Sequence, residues 1–534
     1  MIFLSFLKEY GVNMGEATGS SKVAKGSAII LIGNVIFRVG GYLYRFLMAS
    51  LLGPAAYGIL GLTTPFQGIF QVLSAAGLPP AIAKYVSEYN ALDEEDLARQ
   101  TVFTALKIMV FLGFFFGLIM VFVAAPIITN YYHKPEALLP LQAVGLITPF
   151  SVIVGAFRGA FQGVYKMEYI LYTRAIEQIF MILFATALVI LGLSTFGAVL
   201  GSVLGFAASA VSAVYIFKKY MGKYIPPANP DFKFTFRQEL GLAKRLLFFS
   251  IPVTVTALAE MGIYSICTLI MGGFLAASAI GYFTAADPIS RLPLIVSSSL
   301  ATTILPAASE AYALKDQNLL EKYVNASYKY GMFFVIPMCV GIAIFAKEIM
   351  GLVYFTNSAY MNGAMSLAIL VLGMTFYSIY TISGSIVQGI GNPRIPMYLL
   401  IFGCIITLGL GWYLIPTYGI EGGALATTIA SFIMMIPMFL LQFRLTKTHA
   451  PYSFLTKVTI ASLIMALPAF VLPNNSYGLI AGLIICPIIY MIAIVALRTL
   501  SHDDVAGFRR FTRKLGPLSK YANKLLDIID KYSS

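Results

Sequence analysis

The chain has 534 residues, of which 59% are hydrophobic and only 11% charged, and its mean hydropathy is +0.84. Soluble domains carry roughly a quarter charged residues, so the composition excludes that class. The net charge of +13 is scattered through short loops and does not form a basic face with interleaved aromatics, which argues against nucleic-acid binding. Apolar runs of about 20 residues, enough to cross the hydrocarbon core, recur from end to end. The sequence therefore predicts an all-α, polytopic membrane protein.

Taken in chain order, the apolar runs predict about fourteen transmembrane helices. Their limits are 27–51, 57–82, 101–125, 140–164, 174–193, 196–218, 246–272, 278–306, 327–353, 361–389, 395–415, 419–442, 455–473 and 476–497. We divide the chain into a cytoplasmic lead-in (1–26), an N-lobe of spans 1–6 (27–218), a linker (219–245), a C-lobe of spans 7–12 (246–442), spans 13–14 (455–497) and a basic cytoplasmic tail (498–534).

The loops sort by charge, and this predicts the orientation. Loops that follow even-numbered spans hold most of the lysine and arginine, as in the middle loop: Lys218, Lys219, Lys223, Lys233, Arg237, Lys244 and Arg245. Loops on the other side are short and carry few cations beyond Lys134 and Lys347. The positive-inside rule then places both termini in the cytoplasm, so we expect a multi-pass protein of the cell membrane.

An internal repeat relates the two lobes. "YGILGLTTPF" at 57–66 matches "IGYFTAADPI" at 280–289, which aligns Gly58 with Gly281 and Pro65 with Pro288 at an offset of 223 residues. "SEYNAL" and "TFGAVLG" find later counterparts, "SEAYAL" and "TYGIEGG", at nearly the same offset. Six spans separate the copies, so the repeat is parallel. The shared glycines and prolines indicate scaffold positions for close helix approach.

Charges inside the spans break this symmetry and are the candidate functional residues. The predicted substrate-binding cations are Arg38, Arg45, Arg158 and Arg291, and the predicted coupling carboxylates are Glu260 and Asp287. Intramembrane ionisable residues usually face a bundle interior or a wet cavity on a substrate or ion pathway. Spans 1, 2, 7 and 8 are equivalent pairs in the two halves and are therefore expected to line a central cleft, which Arg38, Arg45 and Arg291 make cationic. Because arginine binds phosphate in a bidentate manner, this cleft predicts an anionic substrate.

Simpler interpretations stay open for several of these residues. Asp287 and Arg291 are four apart and can neutralise each other, although Pro288 between them is expected to distort that turn. Arg45 can snorkel to the interface, and Arg158 can serve as a topology anchor near the membrane edge. The start of span 5, with Arg174 and Glu177, is interpreted as interfacial.

Several stretches resemble a known family. "GYLYRFLMASLLGPAAYGILGL", "AAGLPPAIAKYVSEY", "VQGIGNPRIP" and "PTYGIEGGALATTIASF" resemble the polysaccharide-biosynthesis flippases of the multidrug/oligosaccharidyl-lipid/polysaccharide exporter superfamily, in particular the O-antigen-type and stage V sporulation protein B groups. The resemblance implies a fourteen-helix transporter with two six-helix lobes around a central cationic cavity. Related lipid II flippases use arginines of helices 1, 2 and 8. Spans 1 and 8 here supply Arg38, Arg45 and Arg291, whereas span 2 has no arginine.

The resemblance implies a transporter, not an enzyme. We expect it to flip a polyprenyl-pyrophosphate-linked oligosaccharide by alternating access. No cofactor is expected beyond coupling to H⁺ or Na⁺. The expected partners are the lipid-linked substrate and membrane lipid, with polysaccharide-assembly enzymes a further class. The alternatives are a drug antiporter of the same superfamily and a polytopic glycosyltransferase or polymerase. The latter needs a large external loop with catalytic carboxylates, and the longest candidate, 126–139, holds only Glu136.

Overall fold

A computed structural model describes residues 19–227, 234–473 and 475–499 of the chain. This part consists of helices and turns, and no strand occurs in it. The α-helices are α1 (Gly19–Ala75), α2 (Leu78–Ala91), α3 (Glu95–Ile119), α4 (Ala125–Tyr132), α5 (Leu138–Gly163), α6 (Met167–Leu188), α7 (Ser194–Tyr220), α8 (Phe236–Phe274), α9 (Ala277–Ser290), α10 (Leu294–Ala313), α11 (Gln317–Ile344), α12 (Ala346–Val353), α13 (Ala364–Gly389), α14 (Arg394–Thr446), α15 (Tyr452–Ala466) and α16 (Ser476–Ala496). Of the predicted tail, residues 500–534 lie outside the described part.

Most predicted spans correspond to helical stretches, but three are each divided between two helices: span 2 between α1 and α2, span 8 between α9 and α10, and span 9 between α11 and α12. Eleven helical stretches of the described chain are long and apolar enough to cross a membrane. Three of these stretches contain two predicted spans each, interrupted at Gly53, Gly192 and Gly419. All three glycines have positive φ (71°, 91° and 62°), a conformation that costs glycine nothing because it has no Cβ. The all-α, polytopic prediction is confirmed.

The chain folds into two compact units whose limits differ from the predicted lobes. The first unit holds the described residues up to Leu51 together with Phe66–Leu258. The second holds Leu52–Pro65 and the described residues from Ala259 onward. The start of α8 therefore packs with the first unit, and a segment of the N-terminal half packs with the second, whereas we predicted a boundary in the 219–245 linker.

Residues Leu52–Pro65 are held in the second unit by a close helix crossing. A Cβ on Gly58 would meet the carbonyl of Ala277 and the amide of Gly281, and a Cβ on Gly281 would meet the carbonyl of Pro54. Gly58 and Gly281 are the two glycines that the sequence repeat aligns. The repeat-equivalent helices thus cross one another at their equivalent glycines, where a missing side chain lets the backbones approach.

Each unit has its own apolar core. In the first unit, side chains of α2, α3, α5 and α7 pack around Ile82, Val86 and Phe161. In the second, α11, α13, α15 and α16 pack around Tyr328, whose hydroxyl lies 2.6 Å from Ser383 Oγ and donates to Gln442 Oε1 at 3.0 Å. These cores leave the ionisable groups of the spans as separate polar clusters within each unit.

Candidate functional site

Asp287 and Arg291 form an ion pair at the end of α9. Arg291 lies directly after the last helical residue, Ser290, and its side chain reaches back along the helix. Its Nε and Nη2 donate to Asp287 Oδ1 at 3.0 and 2.6 Å, and the two side chains are 28% and 21% exposed. Of the two alternatives drawn from the sequence, the self-neutralising pair is the arrangement present. The expected distortion by Pro288 does not prevent it, because proline removes a backbone donor without changing the i, i+4 spacing of the side chains.

Aromatic rings and a second carboxylate surround this pair. The Arg291 guanidinium lies 4.1 Å from the centroid of the Tyr264 ring, a cation–π contact. Tyr264 makes an edge contact with Tyr377 (centroids 5.4 Å apart). Glu260, one helical turn before Tyr264 in the middle of α8, is close enough to these phenols to interact with them electrostatically. The cluster holds two carboxylates against one guanidinium.

Arg158 forms the corresponding pair of the first unit, but with a partner on another helix. Its Nη2 donates to Glu177 Oε2 at 2.7 Å and to Ser209 Oγ at 3.2 Å, while its Nε donates to Thr173 Oγ1 at 3.0 Å. Helices α5, α6 and α7 thereby meet at one guanidinium. The pair is 17% and 21% exposed. Glu177, which we interpreted as interfacial, turns its carboxylate toward Arg158 of the neighbouring helix α5.

A cavity of about 430 Å³ opens beside this pair. It is lined by polar side chains of α1, α5 and α6, among them Gln71, Arg158, Arg174, Glu177 and Gln178. Gln178 donates to the Phe37 carbonyl at 3.2 Å, and the Arg174 guanidinium lies 5.9 Å from the Phe37 ring. The wall thus holds two guanidiniums and one carboxylate, together with the apolar side chains of Phe37, Met181 and Phe206.

The remaining predicted cations lie on α1. Arg45 is half-buried and makes no hydrogen bond or ion pair within the described part of the chain. Arg38 belongs to the same helix, and its side chain lies outside the described residues. Tyr44, next to Arg45, donates to the Ala198 carbonyl of α7 at 3.3 Å and ties this part of α1 to the first unit. Within the described residues, no protein partner would have to leave Arg45 before an anion binds it.

Sequence reasoning missed the pairing of Arg158 with Glu177 and the aromatic support of Arg291. A signal for the first existed, because two ionisable residues in consecutive spans are expected to turn toward each other. None existed for the second, since Tyr264 and Tyr377 are separated from Arg291 by whole helices and only the packing brings them together.

Comparison with known proteins shows which family the chain matches and which proteins it is similar to. The family model described as "Polysaccharide biosynthesis protein" matches residues 23–312, more than half of the chain, and the MatE model matches residues 252–413. An uncharacterised membrane protein of Methanocaldococcus jannaschii is 29% identical over 78% of this chain and 97% of its own length. The lipid II flippase MurJ of Bacillus subtilis is 23% identical over 82% and 84%.

The fold agrees with these matches. A solved structure of the lipid II flippase MurJ, in an inward closed conformation, superposes with a TM-score of 0.67 over 86% of this chain and 97% of that chain, at 18% identity. The family resemblance predicted from the quoted stretches is confirmed. The chain belongs to the polysaccharide biosynthesis protein family, a family of flippase-type membrane transporters within the MOP superfamily.

Proposed function

We propose that this protein flips a polyprenyl-pyrophosphate-linked oligosaccharide across the cell membrane by alternating access, for the biosynthesis of a cell-surface polysaccharide. The family membership and the relatives named as flippases support a transporter of this kind. The observation that carries the substrate class is Arg45, a half-buried cation within a span that has no acidic partner in the described chain. Such a charge is costly in a membrane unless an anion reaches it, and a pyrophosphate supplies that anion.

Arg291 of the second unit is a separate candidate phosphate ligand, argued from its own surroundings. It is held by one carboxylate oxygen and one ring face, so a phosphate can replace Asp287 without breaking a larger network. When Asp287 takes up H⁺ or Na⁺, its hold on the guanidinium weakens and Arg291 becomes free to bind the substrate. Glu260, on the same aromatic cluster, is the second coupling carboxylate. Ion uptake and substrate binding are thereby linked through one arginine.

The test is a flipping assay in proteoliposomes. The purified protein is reconstituted with a fluorescent polyprenyl-pyrophosphate disaccharide, and a membrane-impermeant quencher reports the fraction of lipid in the outer leaflet over time. Because a hydrogen bond to a charged group contributes about 1.5–3 kcal/mol, Arg45→Ala should slow flipping by roughly tenfold or more, with Arg45→Lys in between. Arg291→Ala should lower the rate similarly at equal expression.

The control is Arg444→Ala, which removes an exposed cation at the end of α14 and should leave the rate unchanged. Flipping by the Arg45→Ala and Arg291→Ala variants at the native rate would reject the phosphate contacts. Transport of a cationic dye by the native protein, with no flipping of the lipid-linked sugar, would reject the substrate class and favour the drug antiporter.

A further inference from the structure

The first half of α8 has a surface that the transport proposal does not use. The helix has 39 residues, about 58 Å at 1.5 Å per residue, whereas the hydrocarbon core is about 30 Å thick. Pro252 lies inside it, and the residues before Pro252 belong to the first unit. This part exposes large apolar side chains, with Phe236 and Phe248 80% and 81% exposed. It is on the side to which the loop charges assign the cytoplasm, so we place it at the membrane interface.

A cleft of about 770 Å³ lies between this part of α8 and α2. Its charged lining residues are Lys84 of α2 and Lys244 and Arg245 of α8, and no carboxylate belongs to the lining. Tyr85, Phe248 and Phe249 form its apolar wall. A cleft with three cations, no acid and an exposed phenylalanine complements a molecule that is anionic at one end and apolar at the other.

Aromatic groups, not acids, hold two of these cations in place. Lys84 Nζ lies 4.7 Å from the ring centroid of Tyr85 and 4.9 Å from that of Phe249. Arg245 Nη1 donates to Tyr89 Oη at 3.0 Å. None of the three cations forms an ion pair with a described residue, and the neighbouring carboxylate of α8, Glu239, is bound to Lys107 at 2.8 Å. The positive charge of the cleft is therefore not neutralised by the part of the chain that the structure describes.

We propose that this cleft binds an anionic membrane phospholipid. The headgroup phosphate lies between Lys84, Lys244 and Arg245, and one acyl chain packs along Phe248. Charge complementarity selects the phosphate, and the apolar wall of Tyr85, Phe248 and Phe249 selects a lipid over a free phosphate ion because an acyl chain can pack against it. The inference goes beyond the transport function and does not depend on it.

The experiment measures lipid binding by the purified full chain in detergent. Short-chain phosphatidylglycerol and phosphatidylcholine are titrated, and bound lipid is followed by native mass spectrometry. We expect phosphatidylglycerol to bind more tightly than phosphatidylcholine. A triple variant, Lys84→Gln, Lys244→Gln and Arg245→Gln, should bind phosphatidylglycerol about tenfold or more weakly, since each cation near a lipid surface contributes to attraction of the anionic headgroup. Phe248→Ala should weaken both lipids.

The matched control removes the same charge elsewhere: Lys315→Gln, Lys322→Gln and Arg444→Gln, all exposed positions of the second unit. It should bind phosphatidylglycerol as the native protein does. Equal loss in both triple variants would show a general charge effect and overturn the site. So would equal binding of the two lipids. Selective displacement of phosphatidylglycerol by polyprenyl pyrophosphate would assign the cleft to the transported substrate instead. Lys244→Glu, a single change at an exposed position, repeats the test if the triple variant does not fold.

Discussion

The two ion pairs of the predicted spans have nearly the same length but different surroundings. Asp287–Arg291 joins residues four apart beside one helix, and its closest bond is 2.6 Å. Arg158–Glu177 joins two helices at 2.7 Å, and the same guanidinium also binds Thr173 and Ser209. The Arg291 guanidinium contacts one carboxylate oxygen and one ring face. The Arg158 guanidinium instead binds side chains of two other helices and so connects three helices. Bond length therefore says little about role, and the number of partners indicates which arginine can exchange ligands.

The largest effect is expected at the inter-helix pair. Arg158→Met leaves Glu177 without its cation in a setting that is about four-fifths buried. Breaking such a pair should lower the free energy of unfolding by roughly 3 kcal/mol. Thermal and denaturant unfolding of the purified protein in detergent measure this change.

The double variant Arg158→Met, Glu177→Met sharpens the comparison. It removes both charges, so it should recover most of the lost stability and keep native flipping of the lipid-linked sugar. Stability recovered with flipping abolished would show that Arg158 acts on substrate, and that the two pairs are alike in function.

An intermediate effect is expected at the local pair. Asp287→Asn removes the charge but retains an acceptor for Arg291, so the free energy of unfolding should fall by only about 1–2 kcal/mol. In the same variant, the affinity for a polyprenyl pyrophosphate should rise because Asp287 no longer competes for Arg291, and its dependence on the coupling ion should weaken to the part that Glu260 contributes. Unchanged affinity, measured by native mass spectrometry, would contradict the exchange of partners.

The smallest effect is expected from the ring beneath Arg291. Tyr264→Leu removes the cation–π contact and should lower the free energy of unfolding by about 1 kcal/mol. Tyr264→Phe, which keeps the ring face, is the control and should differ from the native protein by less. An equal loss of unfolding free energy in both variants would assign the stabilisation to the Tyr264 hydroxyl. The ring would then not support Arg291, and this difference from Arg158 would disappear.

The sequence predicted some of these contacts better than others. The i, i+4 spacing of Asp287 and Arg291 already allowed the local pair, because helix geometry alone brings such residues together. The pairing of Arg158 with Glu177 required the packing of α5 against α6, which no local rule specifies. Likewise, the repeat aligned Gly58 with Gly281, yet only the fold showed that the two glycines contact each other and draw Leu52–Pro65 into the second unit.

By itself, the sequence determined the class of the protein, its helical spans, its internal repeat, its family and the list of charges inside the membrane. Those features depend on composition, on the periodicity of apolar residues and on local motifs, and none of these requires knowing which residues are close in the folded structure. Among the described residues, the tertiary structure decided which of these charges are paired with another group of the chain and which are not. A charge is neutralised by whatever lies within a few ångströms, and in a helical bundle those groups come from spans distant in sequence.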